Sequence, residues 1–577
     1  METRNMGRWD ESCDVVVVGS GAGGMTAALT AAGAGLSALV VEKSDKYGGT
    51  SAVSGGGIWV PCNDDIEKHG GHDSQAEALE YMKTCIGPDV PEARMVAYLR
   101  QASEMVRHLR ERFGVKYENV PKYPDYYAGR EGRSGGKDGQ RSMEPVAFDA
   151  RLLGAEFDHQ RASFKGTLLM GRIAMSQREA HTLFSRGPGW VWLTIKLLLK
   201  YWLDVSWRLR TPRDRRQVLG QGMVAALRHA LLQKNVPLWL NTGMESLVVE
   251  DGRVTGIVAR REGKPVRIRA RRGVVLACGG FEANQQMRED YLAKPTSAEW
   301  TAPPPINHGD GIRAARAVGA ALGNMDKVWG APTVRKPGAR QQVALFVERG
   351  MPGCVAVNGK GRRFANEAAP YPEFRDLMYA DDAKGNGTVP CWLVFDATFR
   401  HKYPAGLFLP GQIQPDSRLP KDWLDKVYYR ADTLEALAAK IGVDAAGLEQ
   451  SVADMNRYAA TGVDEQFHKG ETPIDRYYSD PSVKPNTCLG PIAKAPFYAI
   501  AMYPGEIGTK GGVVTDEKAR ALRDDGSVIP GLYATGNTTA SVMGGTYPGA
   551  GSTLCPAMTF GYVAALEMAA AGGAPGA

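Results

Sequence analysis

The distribution of apolar and polar positions near the start of the chain predicts a β-α-β unit. An apolar run at residues 15–18 leads into a cluster of glycines, and an Ala-rich stretch over residues 25–34 has the pattern of a buried helix. A second apolar run, residues 37–41, ends at Glu42. Short runs that are apolar throughout are typical of strands covered on both faces, as in parallel sheets. The chain is therefore expected to begin as an α/β fold.

Strand patterns return later in the chain and indicate that this first domain is discontinuous. Residues 247–249 and 254–260 flank Asp251-Gly252, a pair typical of hairpin turns. Residues 273–277 form another apolar run, strand patterns resume after Gly512, and a helical tail is expected over residues 556–571. Residues 301–489 have a mixed pattern of helices, short strands and Pro-rich connections. We predict a Rossmann-like nucleotide-binding domain in two parts, residues 10–297 and 490–577, interrupted by an α+β domain at residues 298–489.

The turn after the first apolar run carries a dinucleotide-binding fingerprint. Its residues fit the pattern G-x-G-x-x-G and are Gly19, Ser20, Gly21, Ala22, Gly23 and Gly24. The first glycine allows the tight turn, the second lets the backbone approach a pyrophosphate, and the last lets helix and strand pack closely. Glu42 follows at the distance expected of an acid that binds the ribose. The fingerprint predicts a bound dinucleotide but does not choose between NAD and FAD.

Composition and charge exclude several other classes of protein. A chain of 577 residues is too long for one hydrophobic core, so about two domains are expected. The formal charge is +7, but no basic run is interleaved with aromatic residues, so nucleic acid is not an expected partner. The eight cysteines are scattered without a C-x-x-C pair or a Cys/His cluster, which predicts reduced thiols and no metal. Residues 1–12 lack the apolar stretch of a secretory signal, so the expected location is the cytoplasm.

The segment after Glu42 decides the cofactor. Residues 43–61 read KSDKYGGTSAVSGGGIWVP and resemble the flavoprotein subunits of the fumarate reductase and succinate dehydrogenase superfamily. Further matches follow in the same order at residues 277–281, 309–311 and 531–537. The resemblance implies an FAD-binding domain with an inserted catalytic or capping domain. Besides the fingerprint and Glu42, the residues that it implies at FAD are Lys43, Gly48, Gly49, Thr50, Ser51, Ser54, Gly55, Gly56, Gly57, Gly279, Gly280, Asp310, Gly536, Asn537, Ser552 and Leu554.

Two features separate this chain from the best-known members of that superfamily. Fumarate reductases hold a dicarboxylate with arginines and histidines, since anionic carboxylates need charge-assisted donors. Here the corresponding turn reads Gly508-Thr509-Lys510-Gly511-Gly512, and residues 541–553 contain no Arg. No His lies within residues 1–65, so the histidine that links flavin covalently in succinate dehydrogenases is missing. We expect non-covalent FAD and a substrate other than a dicarboxylate.

Three tyrosine-containing segments resemble the 3-ketosteroid Δ1-dehydrogenases. They are residues 537–562, residues 122–127, and residues 362–367 with Tyr371 just beyond; Cys555 departs from the pattern, where glycine is expected. The resemblance implies 1,2-desaturation of 3-ketosteroids such as androst-4-ene-3,17-dione or cholest-4-en-3-one. It assigns polarisation of the 3-oxo oxygen to the Tyr547 hydroxyl and the Gly551 N–H, and abstraction of the C2 proton to Tyr371.

Two assignments stay open at this point. The neighbour that supports Tyr371 is expected to be Tyr127, with Tyr126 as the alternative, because the adjacent pair cannot be aligned to one residue. The activity has alternatives too: a 3-ketosteroid Δ4-(5α)-dehydrogenase, another flavin-dependent reductase of the superfamily, or a flavin- or sterol-binding protein without activity. Since only one dinucleotide fingerprint is present, the expected electron acceptor is an external, quinone-like carrier rather than NAD.

A tryptophan-rich segment suggests contact with a membrane. Residues 189–207 read GWVWLTIKLLLKYWLDVSW, and five arginines lie within residues 208–216. The apolar stretch is too short, and carries Lys196 and Lys200, for a membrane-spanning helix. Lys196, Lys200 and Asp204 recur at four-residue spacing, the pattern of an interfacial amphipathic helix. The alternative is a helix packed on its own protein. Residues 186–216 are therefore a candidate for peripheral attachment to the cytoplasmic face of a membrane.

Overall fold

The computed structural model describes residues 8–571 and begins with the β-α-β unit that the apolar pattern predicts. Strand Glu11–Val18 is followed by helix Ala22–Gly33 and strand Ala38–Val41. The two strands pair in parallel, with Val15 opposite Ala38 and Val18 opposite Val41. The crossover helix is buried over most of its length, which explains its small, apolar residues.

These strands lie inside an eight-stranded sheet. Strand Lys264–Leu276 pairs in parallel with Glu11–Val18 on one side and with Val528–Ala534 on the other. Thr242–Glu250 and Arg253–Arg261 form the predicted hairpin, which pairs antiparallel with the first half of Lys264–Leu276. Arg520–Leu522 and Leu238–Trp239 complete the sheet. Strands from distant parts of the chain thus share one sheet, and the Rossmann-like domain is discontinuous as predicted.

Three helices pack together against this sheet. Helix Ala22–Gly33 contacts both Leu219–Gln233 and the final helix, Leu554–Ala570. The contact with the final helix depends on glycine: a Cβ added at Gly561 would lie 2.4 Å from the Gly23 carbonyl oxygen. The two backbones can therefore approach more closely than any side chain would permit.

The inserted region is built on a four-stranded antiparallel sheet. In spatial order its strands are Cys354–Val357, Cys391–Phe395, Phe497–Met502 and Tyr429–Ala431. Helices Leu434–Ile441 and Ala445–Thr461 pack on one face, and helix Tyr371–Asp382 contributes Phe374 and Met378 to the apolar cluster on the other. This is the predicted α+β region, but its sheet includes strand Phe497–Met502, which lies beyond the predicted limit at residues 489 and 490 because the strand pairs with Cys391–Phe395; the limit at residue 297 stays a prediction.

A helical segment connects the short paired strands Phe148–Asp149 and Arg216–Gln217. It contains the 3₁₀ helix Ala150–His159 and the α-helices Gln177–Phe184, Trp190–Trp202 and Val205–Arg210. Leu197 and Tyr201 pack into an apolar cluster with Ile173 and Met175, so one side of helix Trp190–Trp202 faces the protein. Across residues 8–571, every helix is too short or too polar to cross a bilayer.

Smaller elements surround these units. Ser142–Pro145 pairs with Ile58–Trp59 on one side and Tyr117–Asn119 on the other, and Val328–Gly330 pairs with Glu506–Thr509. The other short strands are Leu322–Gly323, Thr333–Val334, Val343–Ala344 and Gly512–Val513. The remaining α-helices are Gln75–Ile86, Glu92–Phe113, Gln285–Tyr291, Asp310–Ala317, Ala397–Lys402 and Pro473–Tyr477.

Candidate active site

A cavity of about 480 Å³ lies at the carboxyl ends of the central strands. Val18, Val41, Ala277 and Thr535 line it, and each stands at or directly after the end of a strand in the eight-stranded sheet. Ligands of α/β proteins bind at such an edge. The predicted cofactor residues that line the cavity are Gly19, Ser20, Gly21, Ala22, Gly23, Glu42, Lys43, Gly49, Thr50, Ser51, Ser54, Gly55, Gly56, Gly57, Gly279, Asp310, Gly536, Asn537 and Leu554.

Four further predicted cofactor residues do not line the cavity but lie behind its wall. A Cβ on Gly24 would lie 2.2 Å from the Gly19 carbonyl oxygen, and a Cβ on Gly280 would lie 2.0 Å from the Thr509 hydroxyl oxygen. The Gly48 N–H donates to the Ser20 hydroxyl at 3.0 Å, and the Ser552 hydroxyl donates to the Gly549 carbonyl at 2.7 Å. These residues shape the cavity through packing and hydrogen bonds within the protein.

The glycine-lined part of the cavity fits a dinucleotide. Helix Ala22–Gly33 begins there with Gly21 as its N-cap, which has no side chain to cap the first turn, and no acidic residue occupies that turn. Its N-terminus is thus open to an anionic pyrophosphate. One carboxylate oxygen of Glu42 accepts from the Ser20 N–H at 3.2 Å and hydroxyl at 2.6 Å, and the other accepts from the Ser44 N–H at 2.9 Å. The carboxylate is held in place with lone pairs left for ribose hydroxyls.

Three tyrosines meet in the other part of the cavity. The Tyr126 hydroxyl donates to the Tyr371 hydroxyl at 3.3 Å. The Tyr547 ring lies 5.4 Å from each of the other two rings, stacked on Tyr126 and edge-on to Tyr371. All three are buried and line the cavity. Residues far apart in sequence therefore form one aromatic cluster, as the three matching segments predict.

Tyr127 does not belong to this cluster, although the sequence favours it as the neighbour of Tyr371. Its N–H donates to the Tyr81 hydroxyl at 3.1 Å, and the Arg130 and Arg133 guanidinium groups lie within 5.7 Å of its ring centre. Tyr126 and Tyr127 lie in a turn, where successive side chains point in different directions, and here it is Tyr126 that faces the cavity. Tyr126 is the neighbour of Tyr371.

Further tyrosines extend the hydroxyl cluster beyond the predicted residues. The Tyr123 hydroxyl lies 3.2 Å from that of Tyr126 and 2.6 Å from that of Tyr478. Tyr123 belongs to one of the matching segments, residues 122–127, so a sequence signal for it exists. Tyr478 lies in no such segment, and only the fold brings it to the cavity.

Buried polar contacts hold the loop that carries Tyr126. The Asp125 carboxylate accepts from the Trp59 indole at 2.7 Å and from Arg141 at 2.8 Å, and Arg141 also binds Asp73. The Tyr126 N–H donates to the Pro548 carbonyl at 2.8 Å, directly after Tyr547. The loops of Tyr126 and Tyr547 are thus joined, which fixes the distance between the two rings.

Gly551 meets two conditions that only glycine satisfies here. Its φ is +102°, and an added Cβ would lie 2.4 Å from the backbone of Ile58. The residue stands before helix Leu554–Ala570, and its carbonyl accepts from the Cys555 N–H. The Gly551 N–H acts on the Tyr547 hydroxyl oxygen and lowers the pKa of Tyr547. Both residues line the cavity.

The environment keeps these phenols protonated. Burial raises the pKa of Tyr371 well above its usual value, while the hydrogen bond from Tyr126 lowers it. Burial also raises the pKa of Tyr547, against the hydrogen bonds from Thr553, Tyr371 and the Gly551 N–H. Since hydrogen bonding favours the charged form and burial disfavours it, Tyr126 is the contact that makes Tyr371 more acidic.

The wall around the tyrosines is largely apolar. Side chains from the helical segment, including Met175 and Phe184, face others from the inserted region, including Phe346 and Pro404. The Phe346 ring lies 4.9 Å from that of Tyr371. An apolar ligand with one polar end, placed at the hydroxyls, fits this part of the cavity.

Comparison with known proteins relates this chain to flavoenzymes. Residues 14–554 match the family described as "FAD binding domain". The chain is 45% identical over 570 residues to a 3-oxosteroid 1-dehydrogenase of Mycolicibacterium smegmatis, covering 96% of this chain and 97% of that protein.

Solved structures show the same relation. The chain is similar to the crystal structure of 3-ketosteroid Δ1-dehydrogenase from Sterolibacterium denitrificans in complex with 1,4-androstadiene-3,17-dione, at 54% identity and a TM-score of 0.95, covering 97% of this chain and 100% of that one. It is also similar in fold to 3-ketosteroid Δ4-(5α)-dehydrogenase from Rhodococcus jostii, at 23% identity and a TM-score of 0.66, covering 98% of this chain and 99% of that one.

Proposed function

The chain belongs to the FAD-binding-domain family as an FAD-dependent 3-oxosteroid 1-dehydrogenase, and from this premise we propose how its residues desaturate the C1–C2 bond of 3-oxo-4-ene steroids. The reaction removes a hydride from C1 and a proton from C2 and forms the C1–C2 double bond. The observation that carries the proposal is the meeting of Tyr126, Tyr371 and Tyr547 in the cavity whose other part is built for a dinucleotide.

Tyr547 and Gly551 bind the 3-oxo oxygen. A proton at C2 becomes acidic only as negative charge develops on that oxygen, so fixed donors at this point lower the barrier. Tyr547 and Gly551 both line the cavity, and we assign the Tyr547 hydroxyl and the Gly551 N–H as the donors to this oxygen. Such donors bind the enolate more strongly than the neutral ketone, which is the condition for faster chemistry.

Tyr371 takes the C2 proton. A phenol acts as a base only in its ionised form, and burial opposes ionisation of Tyr371. The Tyr126 hydroxyl counters this by donating to the Tyr371 oxygen at 3.3 Å. Tyr126 therefore has the supporting role, and the hydroxyls of Tyr123 and Tyr478 continue the hydrogen-bonded chain behind it.

FAD is held without a covalent bond by the glycine turn, the open helix N-terminus and Glu42. When bound, FAD supplies the acceptor for the C1 hydride. Asn537 and Gly57 line the same cavity as the tyrosines, so the predicted cofactor residues and the tyrosines share one cavity. Only one dinucleotide fingerprint is present in the sequence, so we assign regeneration of the oxidised cofactor to an external, quinone-like acceptor.

Two substitutions test the roles of the tyrosines. Tyr547→Phe should slow steroid-driven bleaching of the yellow enzyme about 10²–10³-fold, as loss of one oxyanion donor does. Tyr371→Phe should slow it about 10²–10⁴-fold, as loss of a general base does. The measurement is anaerobic mixing with androst-4-ene-3,17-dione, together with FAD content, product analysis and exchange of the C2 hydrogen in deuterated water.

Both variants should keep their FAD and lose C2 exchange, because exchange requires only enolisation. Tyr498→Phe serves as a buried control of the same size: its hydroxyl donates to the Asp416 carboxylate in the inserted region and does not line the cavity. Normal bleaching by both Tyr371→Phe and Tyr547→Phe would place the chemistry on other residues. A product lacking the C1–C2 double bond would instead favour the Δ4-(5α) alternative.

The helical segment at residues 186–216 binds a membrane in this proposal. Trp192, Leu203 and Leu209 are 67%, 73% and 85% exposed. Soluble proteins rarely expose several large apolar side chains in one patch. Lys196, Lys200 and Arg210 are exposed among them, as expected of a surface that meets anionic lipid. A steroid partitions into bilayers, and Met175 and Phe184, which precede this segment in the chain, line the cavity.

A further inference from the structure

Lys510 is a buried cation that the chemistry described above does not use. It follows strand Glu506–Thr509 and has no solvent-exposed surface. Its Nζ donates to the Thr546 carbonyl at 2.6 Å and lies 4.5 Å from the centre of the Trp329 ring. In the part of the chain between residues 8 and 571, no carboxylate pairs with it. A carbonyl and an aromatic face are its two favourable contacts.

Both contacts lead to Tyr547. Thr546 directly precedes Tyr547, so the hydrogen bond fixes the backbone from which the Tyr547 ring extends. The Trp329 ring packs edge-on against the Tyr547 ring at 5.1 Å. The Trp329 indole also donates to the Asn537 side chain at 2.9 Å, which prevents the ring from turning. Lys510 therefore restrains Tyr547 in two ways: it holds the backbone through the Thr546 carbonyl, and it holds the ring through Trp329.

A lysine in this position carries a large desolvation cost. An apolar side chain of the same length would fill the space without it. Burial lowers the pKa of Lys510 to about 7. The charged groups that face it are Asp376 and Arg375 of helix Tyr371–Asp382, and Lys327 beside strand Val328–Gly330. The loop at residues 541–547 adds one titratable group, the Tyr547 phenol.

We propose that Lys510 is a positioning residue for Tyr547: it holds the Thr546 carbonyl through its hydrogen bond and the Trp329 ring through its charge, so that the Tyr547 hydroxyl meets the 3-oxo oxygen. This inference rests on the role given to Tyr547 under the proposed function. Lys510 lies outside the cavity wall. In the sequence it belongs to the turn Gly508-Thr509-Lys510, which corresponds to a turn of the fumarate reductases.

Two variants separate the hydrogen bond from the charge. Lys510→Met removes both and keeps the length of the side chain, and Lys510→Gln keeps a donor for the Thr546 carbonyl without the charge. Lys440→Met is the matched control, since Lys440 is an exposed lysine paired with Asp425 on helix Leu434–Ile441. The measurements are C2 exchange in deuterated water, anaerobic bleaching by androst-4-ene-3,17-dione, FAD content and the unfolding temperature.

Lys510→Met should lower C2 exchange and bleaching in parallel, by up to about 100-fold, since small misplacement of a catalytic group has effects of that size. FAD content should not change, and Lys440→Met should behave as wild type. The ratio of wild-type to Lys510→Gln exchange should fall as the pH rises through the pKa of Lys510, about 7, because only the protonated lysine differs in charge from glutamine. Taking the ratio cancels the titration of Tyr371.

The same comparison in a Tyr547→Phe background decides whether Lys510 acts through Tyr547. If it does, Lys510→Met should cause no further loss there, because residues that act as a unit are non-additive. A wild-type exchange rate in Lys510→Met, or an equal additional loss in the Tyr547→Phe background, would overturn the inference. Should Lys510→Met fail to fold, the pH dependence of the Lys510→Gln ratio decides in its place. Full activity of Tyr547→Phe alone would instead overturn the proposed function.

Discussion

At the scale of single residues, the tyrosines around the cavity are distinguished by their neighbours. Tyr126 and Tyr127 are adjacent in sequence and both buried, yet one donates to the Tyr371 hydroxyl and the other is covered by arginines. A phenol loses its proton more readily when another group donates to its oxygen. Changing each tyrosine to Phe in turn is therefore a matched test, because both substitutions remove only a hydroxyl and retain the methylene and ring atoms.

Tyr126→Phe should slow steroid-driven bleaching, whereas Tyr127→Phe should leave it close to the wild-type rate. Ionised Tyr371 is the active form, so the rate rises with pH until the pKa of Tyr371 is passed. Removing the Tyr126 hydroxyl raises that pKa further, so the rate should level off at a higher pH. A pH profile of anaerobic bleaching measures this shift.

FAD content and the unfolding temperature of both variants serve as controls for folding. Equal pH profiles for Tyr126→Phe and wild type would mean that the hydrogen bond does not tune Tyr371. A larger effect of Tyr127→Phe would return the supporting role to the residue that the sequence favours.

Single residues also show where prediction from sequence succeeds and where it ends. Glu42 and the glycine turn were predictable because their roles depend on fixed spacing along one β-α-β unit. The choice between Tyr126 and Tyr127 was not, because it depends on which way one loop residue turns. Tyr478 reaches the cavity, and Lys510 reaches Thr546 and Trp329, only through contacts between distant segments, which leave no local pattern in the sequence.

At the scale of elements, helix Trp190–Trp202 and the residues that follow it have two different sides. Leu197 and Tyr201 pack against the protein, whereas Trp192, Leu203 and Leu209 project into solvent. The two interpretations of the sequence, a core-packed helix and an interfacial one, therefore describe opposite sides of one segment. Only the exposed side is available to lipid.

Changing Trp192, Leu203 and Leu209 together to Ser should reduce binding to vesicles made of equal parts phosphatidylcholine and phosphatidylglycerol. Each such side chain contributes about 1.5–3 kcal/mol when fully buried, so a loss of at least about tenfold in the bound fraction is expected even for partial insertion. Cosedimentation with the vesicles measures it, and bleaching by detergent-dispersed steroid should be unchanged.

The control changes three other exposed apolar residues outside this segment, Val249, Ile413 and Val463, to Ser. This control should sediment with the vesicles as wild type does. Equal sedimentation of the Trp192, Leu203 and Leu209 variant would contradict the membrane proposal. Binding to phosphatidylcholine vesicles as strong as to the mixed ones would show that the basic residues contribute little.

Elements differ in how well the sequence predicts them. The first two strands and their helix were recognisable because residues 15–18, residues 38–41 and most of the helix are buried, and the apolar runs are uninterrupted. Two-residue strands such as Ile58–Trp59 and Arg216–Gln217 were not, because they exist only through pairing with a distant partner. The final helix begins at Leu554, close to the predicted start at residue 556.

At the scale of the whole molecule, a buried ion cluster joins distant parts of the inserted region. The Arg363 guanidinium binds both the Glu367 and the Asp464 carboxylates, and Lys469 lies 3.4 Å from Glu367. None of the four side chains is exposed. Although burial opposes ionisation, Arg363 lowers the pKa of both carboxyl groups below their ordinary values. Arg363 and Glu367 lie just before Tyr371 in the chain.

Arg363→Met should destabilise the protein by about 3–5 kcal/mol, because it leaves two buried carboxylates with one lysine. Chemical denaturation monitored by tryptophan fluorescence measures the loss. The depressed pKa values of Glu367 and Asp464 stabilise the fold at pH values above the unfolded pKa of about 4 and lose this contribution as the pH falls. The variant should therefore differ less from wild type in acid than at neutral pH.

Arg457→Met is the control, since Arg457 forms exposed ion pairs with Asp454 and Glu465 nearby. It should change stability little at either pH. An equally small effect of Arg363→Met would show that the buried carboxylates find other partners or take up protons without loss of structure.

The glycine contact between the helices Ala22–Gly33 and Leu554–Ala570 has a consequence for how the protein is made. Nearly the whole described chain separates Gly23 from Gly561, and both helices begin at the cofactor cavity. A nascent chain on the ribosome therefore carries an incomplete cofactor site until helix Leu554–Ala570 has emerged. We expect FAD to bind fully only after that helix has been translated, since contacts between segments so far apart in sequence form late in folding.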